Sequence, residues 1–600
     1  MSFIIPLLYF ICFNGTLVVI SKKRFSKCLP LSFMISAFTL FFSQVLFKTF
    51  NIGIIINLIV TFIFPITCII KKIKKESLEQ IKQLIINNGL YIFILLYIGI
   101  FIFDLNREFS MWDEFSHWGV MVKEMFRLDR FYSIDASTLM VHKDYPPIVS
   151  IYELFFAKLS GGYNETYLIR GLHLFQFSLF IPFITKEDDK KVSRIIKALL
   201  FIIIVYLLYL LFDCHGIINT IYIDYFMAML VVYLLGMIYV ERDVISPFNL
   251  FRVSLGLSFL LLTKQMGLPL YAMIVYYFIF SIVFSRVSTN HPIRKIIIVL
   301  VSLILPLTFY TGWNNYVDNL EVTRQFDIDN IEYKKLENYQ KETYSNFIEA
   351  SKYESLISSP IKISYLAFTI IIFVGLLLLT YFNRRNISVH KTINLNIALT
   401  FGSIGYALVM LFLYIYSFGN VEGPMLSSFD RYMPTFILIS LTTLLIVINR
   451  ITDRLNNKKE VIVFGSILLL LLVIQNPKNY VKVIPAIRES KMSVYEKSAN
   501  DLINNDVLGK RIFIIAQDSE GEFQYRVKYY TGNIITNQSN FDWDNDISYY
   551  KNIKDYVNEF DYIYLAQINE KFNDTFDEVF EDIKPYGLYK INKGEYKLLN

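Results

Sequence analysis

Phosphate-cradling loops are missing from this chain. No Gly-x-x-x-x-Gly-Lys-Ser/Thr run and no Gly-x-Gly-x-x-Gly run occurs in its 600 residues, so it lacks the motifs of a nucleotide-powered pump. Cysteine is scarce: Cys12, Cys28, Cys68 and Cys214 lie in or beside apolar runs, and none falls after residue 476. Their spacing forms neither a disulfide framework nor a zinc motif. Internal repeats of fixed period are not evident, which disfavours a transporter built from inverted repeats. Charged residues make up only 18% of the chain, and the formal net charge of +6 is explained by basic loops between apolar runs. No nucleic-acid partner is implied.

What the chain has in abundance is hydrophobic length. Hydrophobic residues account for 54% and the mean hydropathy is +0.44, more than a soluble globular chain carries. A span needs about 20 apolar residues to cross roughly 30 Å of hydrocarbon. Such runs recur from 2–20 through 460–475, which predicts an α-helical polytopic membrane protein with about 13–14 transmembrane helices. The first run lacks a basic leader and a small-residue cleavage site, so it reads as a retained span rather than a removed signal peptide. Basic clusters such as Lys22-Lys23-Arg24, Lys71-Lys72, Arg384-Arg385 and Arg450 fall on one side when the spans alternate, and positive loops are retained in the cytoplasm. The loops 105–165 and 313–361 and the C-terminal tail then face outward.

After residue 476 the apolar runs shorten to strand length, at Arg511–Gln517, Tyr562–Gln567 and Gly587–Asn592. Short buried strands alternating with helical patterns predict a small extracytoplasmic α/β domain. The expected organisation is a membrane domain over 1–476 and a soluble domain over 477–600. The acids Asp518, Glu520 and Glu522 in that tail have no catalytic spacing and read as solvated surface.

The most informative motif is Met-Trp-Asp-Glu-Phe-Ser-His-Trp at 111–118, just beyond the run 90–103. Ionisable groups beside lipid are costly and mark sites facing a cavity or partner. Trp112, Phe115, Gly119, Val122 and Phe126 recur at helical spacing with Asp113, Ser116, His117 and Glu124 opposite, which predicts an amphipathic interfacial helix. Asp113 and Glu114 fall in its first turn, where the helix dipole favours negative charge. A carboxylate so placed can take the proton of an acceptor hydroxyl. Ser110-x-x-Asp113 equally has the form of a capping box, and sequence leaves both readings of Asp113 open.

Farther on, His142-Lys-Asp-Tyr-Pro-Pro-Ile148 fixes the backbone through consecutive prolines and holds Tyr145 extended at the start of an apolar stretch, 148–159, too short to cross. His117, His142, His173 and His215 match no compact metal-ligand spacing. The loop 313–361, with Trp313, Tyr316, Tyr333, Tyr339 and Tyr344, offers aromatic faces suited to sugar rings and is a candidate acceptor-binding or gating loop.

These motifs, in this order, resemble the GT-C glycosyltransferases, polytopic enzymes whose donor is a polyprenyl-phosphate-linked sugar. The resemblance is carried by Trp112-Asp113-Glu114 in the first large outer loop, Tyr145-Pro146-Pro147 after it, and Asp224 in Tyr222-Ile-Asp-Tyr225. It continues through Leu262-Thr-Lys-Gln-Met-Gly267, Ser428-Phe-Asp-Arg-Tyr432 and the soluble domain after the last span. It covers nearly the whole chain as architecture, through motifs that are each short.

The resemblance implies an inverting hexosyl- or pentosyl-transferase of the cell membrane, with Asp113 as base, Glu114 beside it and Asp224 as a second catalytic acid. Tyr145, His117, Lys264, Arg431 and Trp112 would bind substrate, with Lys264 and Arg431 on the lipid phosphate. The partners implied are the polyprenyl-phosphate-linked sugar donor, a cell-surface glycan or lipid-linked acceptor, and the bilayer. The resemblance fixes no cofactor, and Mg²⁺ or Mn²⁺ at Asp113 or Asp224 is the metal option. Two other classes stand beside this reading: a polysaccharide polymerase or ligase acting on lipid-linked glycans, and a lipid or glycan transporter.

Overall fold

The computed structural model describes the chain except residues 1, 186–191, 214–215, 284–291, 325–335, 358, 360, 386, 454–456, 484–490, 506, 508, 520, 533–534, 537–556, 569–582, 584–585, 593 and 600. Cys214, His215, Tyr333 and Glu520 lie outside the described residues. Among the described residues, ten helices are long and apolar enough to cross a membrane, from Ile4–Ser21 to Phe429–Thr452. Glu79–Ile85 and Asn88–Phe103, bent by 45°, make an eleventh if counted as one span. Pro247–Leu261 and Gly267–Val283 are apolar but shorter, because a tight turn at Leu262–Met266 separates them. This is a multi-pass, mostly helical membrane protein with a small C-terminal region of strands.

The chain divides into two compact units. The first comprises Met1–Glu108, Met125–Ile134 and His142–Pro485, and the second Phe109–Glu124, Asp135–Val141 and Ala486–Asn600.

In the first unit the helix Ile223–Val240 is apolar all round and buried along nearly its full length, as a central helix must be. Asn51–Ile73 buries only Gly53 and Asn57 and leaves its isoleucines for lipid. The stretch after Tyr145-Pro-Pro becomes the helix Ile148–Ser160, buried almost throughout, so it is an interior element rather than one lying on a surface. Several basic residues at helix ends are paired: Arg252 with Glu241 at 3.0 Å, Lys27 with the same carboxylate at 3.0 Å, and Lys197 with Asp453 at 2.9 Å.

The second unit contains a five-stranded sheet of Arg511–Ala516 (β1), Ile535–Thr536 (β2), Tyr562–Gln567 (β3), Gly587–Asn592 (β4) and Glu595–Leu598 (β5). The spatial order is β2-β1-β3-β4-β5, with β1 parallel to β2 and β3, and β4 antiparallel to β3 and β5. Phe513, Ile515, Ile563, Leu565 and Tyr589 build a core on one face and Ile512, Ile514 and Leu588 on the other, the alternation expected of a sheet covered on both faces.

The acidic motif also belongs to this unit, and it is not a regular amphipathic helix. Glu114–Trp118 is a π-helical turn that runs on into the α-helix Gly119–Leu128. The wider turn breaks the 3.6-residue register, so Ser116, His117 and Glu124, expected on an open polar face, are buried along with Phe115 and Trp118.

Candidate functional site

Three interruptions between helices of the first unit bring together the charged residues that the sequence singled out there. Asp224 enters from the first turn of Ile223–Val240, whose cap Tyr222 is extended. The segment before it is tied down by Asp213, which accepts hydrogen bonds from the backbone N–H groups of Gly216, Ile217 and Ile218 at 2.8–3.0 Å. His173 bridges the buried Asp104 carboxylate at 2.7 Å and the Ile218 carbonyl at 2.8 Å, so its two ring nitrogens have structural work.

Lys264 comes from the turn between Pro247–Leu261 and Gly267–Val283, closed by the Gly267 N–H on the Lys264 carbonyl at 2.8 Å. A Cβ at position 267 would collide with the Leu260 carbonyl oxygen, so this reversal requires glycine. The Ile148 N–H donates to the Leu262 carbonyl at 3.2 Å, which joins the turn to the Tyr145-Pro-Pro element. Arg431 enters from the start of Phe429–Thr452, after Leu426 and Ser428, both with positive φ, 51° and 61°. His142, with φ 58°, is a third left-handed non-glycine residue at the site. Such backbone is sparsely populated and gathers where the surroundings over-determine it.

The charges meet closely. The Lys264 Nζ donates to Asp224 Oδ1 at 2.8 Å, and Arg431 Nε lies 4.0 Å from Asp224 Oδ2. Tyr432 stands between the two cations: Arg431 Nη2 donates to its hydroxyl at 2.5 Å, and its ring lies 4.6 Å from the guanidinium and 5.0 Å from the Lys264 ammonium. Arg431 also covers the Tyr222 ring at 5.1 Å. These are distances at which an aromatic quadrupole attracts a cation. The ring of His142 stacks on Tyr145 at 4.2 Å, and burial, then Lys264, then Arg431 push its pKa down to about 3. The Gln265 amide donates to Asp144 at 3.2 Å, and the Trp313 indole N–H donates to the Asp144 carbonyl at 3.0 Å. Trp313 is buried against Phe131 and Tyr316, so it supports this loop rather than offering a face to a sugar.

A cavity of about 610 Å³ opens beside the cluster. Its polar lining includes Tyr145, Lys264, Gln265, Asn314, Arg324 and Tyr432, and its apolar lining includes Leu268, Pro269, Met410 and Leu413 from the helices Gly267–Val283 and Val389–Tyr416. An apolar cavity of about 420 Å³ abuts it, sharing Pro269, Ala272 and Val409. Lys264 lines the first cavity directly. Arg431 is absent from its lining and reaches it through the Tyr432 phenol.

The chain matches no known family model and no curated protein.

Trp112, Asp113, Glu114 and His117 belong to the second unit. Glu114 is fully buried, and its Oε2 accepts the backbone N–H groups of Ser110 at 2.7 Å and Met111 at 2.9 Å. It is Glu114 that caps this turn. Asp113 sits at the cap position without a side-chain cap hydrogen bond and is half-buried. The capping-box reading therefore passes from Asp113 to its neighbour, and a carboxylate committed to two amides is badly placed to take a proton. The His117 Nδ1 pairs with the Ser116 hydroxyl at 2.8 Å and its ring lies against Trp118 at 4.7 Å. Trp112 packs on Tyr525 at 5.5 Å. Both therefore have packing partners inside their own unit.

Among the described residues no group of three or more His, Cys, Asp or Glu is placed to share a metal ion. Asp224 does not fit the metal option, since its oxygens already face an ammonium and a guanidinium whose charge would repel a divalent ion. Sequence reading missed Tyr432, Tyr222, Gln265 and the site role of His142. Tyr432 was in view as the last residue of the Ser-Phe-Asp-Arg-Tyr motif, but nothing except geometry shows that it stands between two cations.

Proposed function

We propose that this protein is a membrane glycosyltransferase of the GT-C type, moving a sugar from a polyprenyl-phosphate donor to a cell-surface glycan or lipid-linked acceptor on the outer face. One observation carries the reading: a largely apolar cavity whose polar lining includes Lys264 and the Arg431-bound phenol of Tyr432. An amphipathic anion with a long hydrocarbon chain is the ligand such a cavity suits. Lys264 contacts the phosphate as a point charge. Asp224 holds that ammonium in place, and Arg431 acts through Tyr432. When the acceptor hydroxyl oxygen attacks the anomeric carbon, the bond from that carbon to the phosphate oxygen breaks and its electron pair passes to the phosphate. Fixed donors aimed at that oxygen stabilise the transition state more than the ground state. On the acceptor side the proposal rests on the sequence resemblance, which offers Asp113 as the base that takes the hydroxyl proton.

The test uses full-length protein in lipid, supplied with polyprenyl-phosphate sugars and candidate acceptors. Donor consumption that Lys264→Ala abolishes, and that Asp113→Asn slows by about 10²–10⁴-fold, supports the reading. Unchanged turnover in Asp113→Asn removes Asp113 as base, and a protein that neither binds nor consumes any polyprenyl-linked sugar ends the proposal. Transfer of a whole lipid-linked glycan instead of one sugar assigns a polymerase or ligase, and lipid movement without bond cleavage a transporter.

A further inference from the structure

We infer that Arg526, in the C-terminal part of the chain, is a positioning residue for the acidic motif at 113. This inference rests on the proposed function in taking Asp113 as the base. Within the second unit, residues of the segment 109–123 contact one face of the helix Glu522–Thr531. Trp112 packs on Tyr525 at 5.5 Å and Phe115 on Tyr529 at 5.2 Å. The Lys123 ammonium donates to the Tyr529 carbonyl and lies 4.4 Å from its ring.

Arg526 is the centre of this contact. Its Nη2 donates to the Ser110 carbonyl at 3.0 Å, and its Nε donates to Glu522 at 2.9 Å, one helical turn away. Its guanidinium carbon lies 4.5 Å from the Phe115 ring and 5.0 Å from the Tyr495 ring. A planar fork with donors on its edge and aromatic rings on its faces is fixed in direction as a lysine would not be. The Ser110–Met111 peptide is thus gripped at both ends of its dipole: Glu114 takes the Met111 N–H, and the Ser110 N–H of the preceding peptide, and Arg526 takes the Ser110 carbonyl. Asp113 follows two residues after this clamp, so the backbone that carries it is anchored by a side chain 416 positions away from Ser110.

The experiment compares full-length wild type with Arg526→Gln and Arg526→Lys by steady-state kinetics and by amide hydrogen exchange. In Arg526→Gln, kcat should fall by about 10²-fold, the cost of misplacing a catalytic group by roughly 1 Å, with KM for the donor nearly unchanged. Exchange at Ser110 and Met111 should rise about tenfold, as expected for one lost hydrogen bond, while β1 and β3 exchange as before. Arg526→Lys, which keeps a donor for Ser110, should recover part of both. Three results would overturn the inference: unchanged exchange at Ser110 and Met111, a uniform rise across the second unit, or faster exchange at that peptide with wild-type kcat. A wild type that turns over no donor removes the glycosyltransferase reading instead, and the exchange arm then decides alone whether Arg526 holds the motif.

Discussion

His142 combines left-handed backbone with partial burial and two neighbouring cations, and the last two act on its proton. Its pKa, about 3 in the folded protein, lies far below the value of about 6.5 for an exposed imidazole. The ring is neutral in the native state at any physiological pH, while the unfolded chain protonates near 6.5. Between those values the unfolded state binds more protons, so stability falls as pH falls. The contribution is intact above about pH 6.5 and is lost progressively toward pH 3, with a slope of at most about 1.4 kcal/mol per pH unit. Asparagine tolerates left-handed backbone and does not titrate, so His142→Asn should flatten that part of the pH dependence. Thermal unfolding of both proteins from pH 7.5 to 4 checks this, and parallel curves would count against it. At the same scale, Asp113 and Glu114 show the limit of reading adjacent residues from sequence. Both are acids in a first turn, but the π-helical turn sends Glu114 inward to the Ser110 and Met111 amides. No periodicity marks such a turn in advance.

The site in the first unit is made where elements stop rather than where they run. Asp224, Lys264 and Arg431 each sit at a helix start or a tight turn, and this is why they were legible: charges at the ends of apolar runs are few, and each demands a reason. Tyr432 and Tyr222 were harder to single out, since aromatic residues make up 16% of the chain and most simply fill space between helices, whereas Tyr145 was marked by the two prolines after it. The ion pair of Lys264 with Asp224, whose side chains are 12% and 5% exposed, has a structural role that is separable from the phosphate binding proposed for Lys264. Lys264→Met leaves a buried carboxylate with Arg431 at 4.0 Å as its remaining cation, and should cost about 3–5 kcal/mol. Lys264→Met combined with Asp224→Asn removes both charges and should regain most of that stability, because replacing a buried pair is often close to neutral. Neither protein should bind polyprenyl phosphate. Denaturant unfolding of the singles and the double, beside a binding assay, checks the cycle; a stable Lys264→Met single variant would contradict it.

Across the whole molecule, hydrophobic run length gave away the helices and strand-length runs gave away β1, β3 and β4, because both signals are local. The strands β2 and β5, of two and four residues, are too short to leave such a signal. The grouping of Phe109–Glu124 with the C-terminal residues left none at all, because contacts such as Arg526 to Ser110 join residues 416 positions apart and carry no periodicity. This grouping makes the C-terminal region part of the support of a loop that precedes most of the helices. A chain ending at residue 485 lacks the helix Glu522–Thr531, and with it Tyr525, Arg526 and Tyr529. Phe109 and Phe115, both buried in the full chain, then lose their packing against Tyr529, and local opening that was rare becomes frequent. Chymotrypsin, which cuts after aromatic residues, should cleave the truncated chain within 109–118 at least about tenfold faster than the full chain, since cleavage tracks the open population. Mass analysis of the fragments locates the cuts. Equal rates would mean that the acidic motif holds its shape without the C-terminal residues, and that the clamp by Arg526 and Glu114 is weaker than its hydrogen bonds indicate.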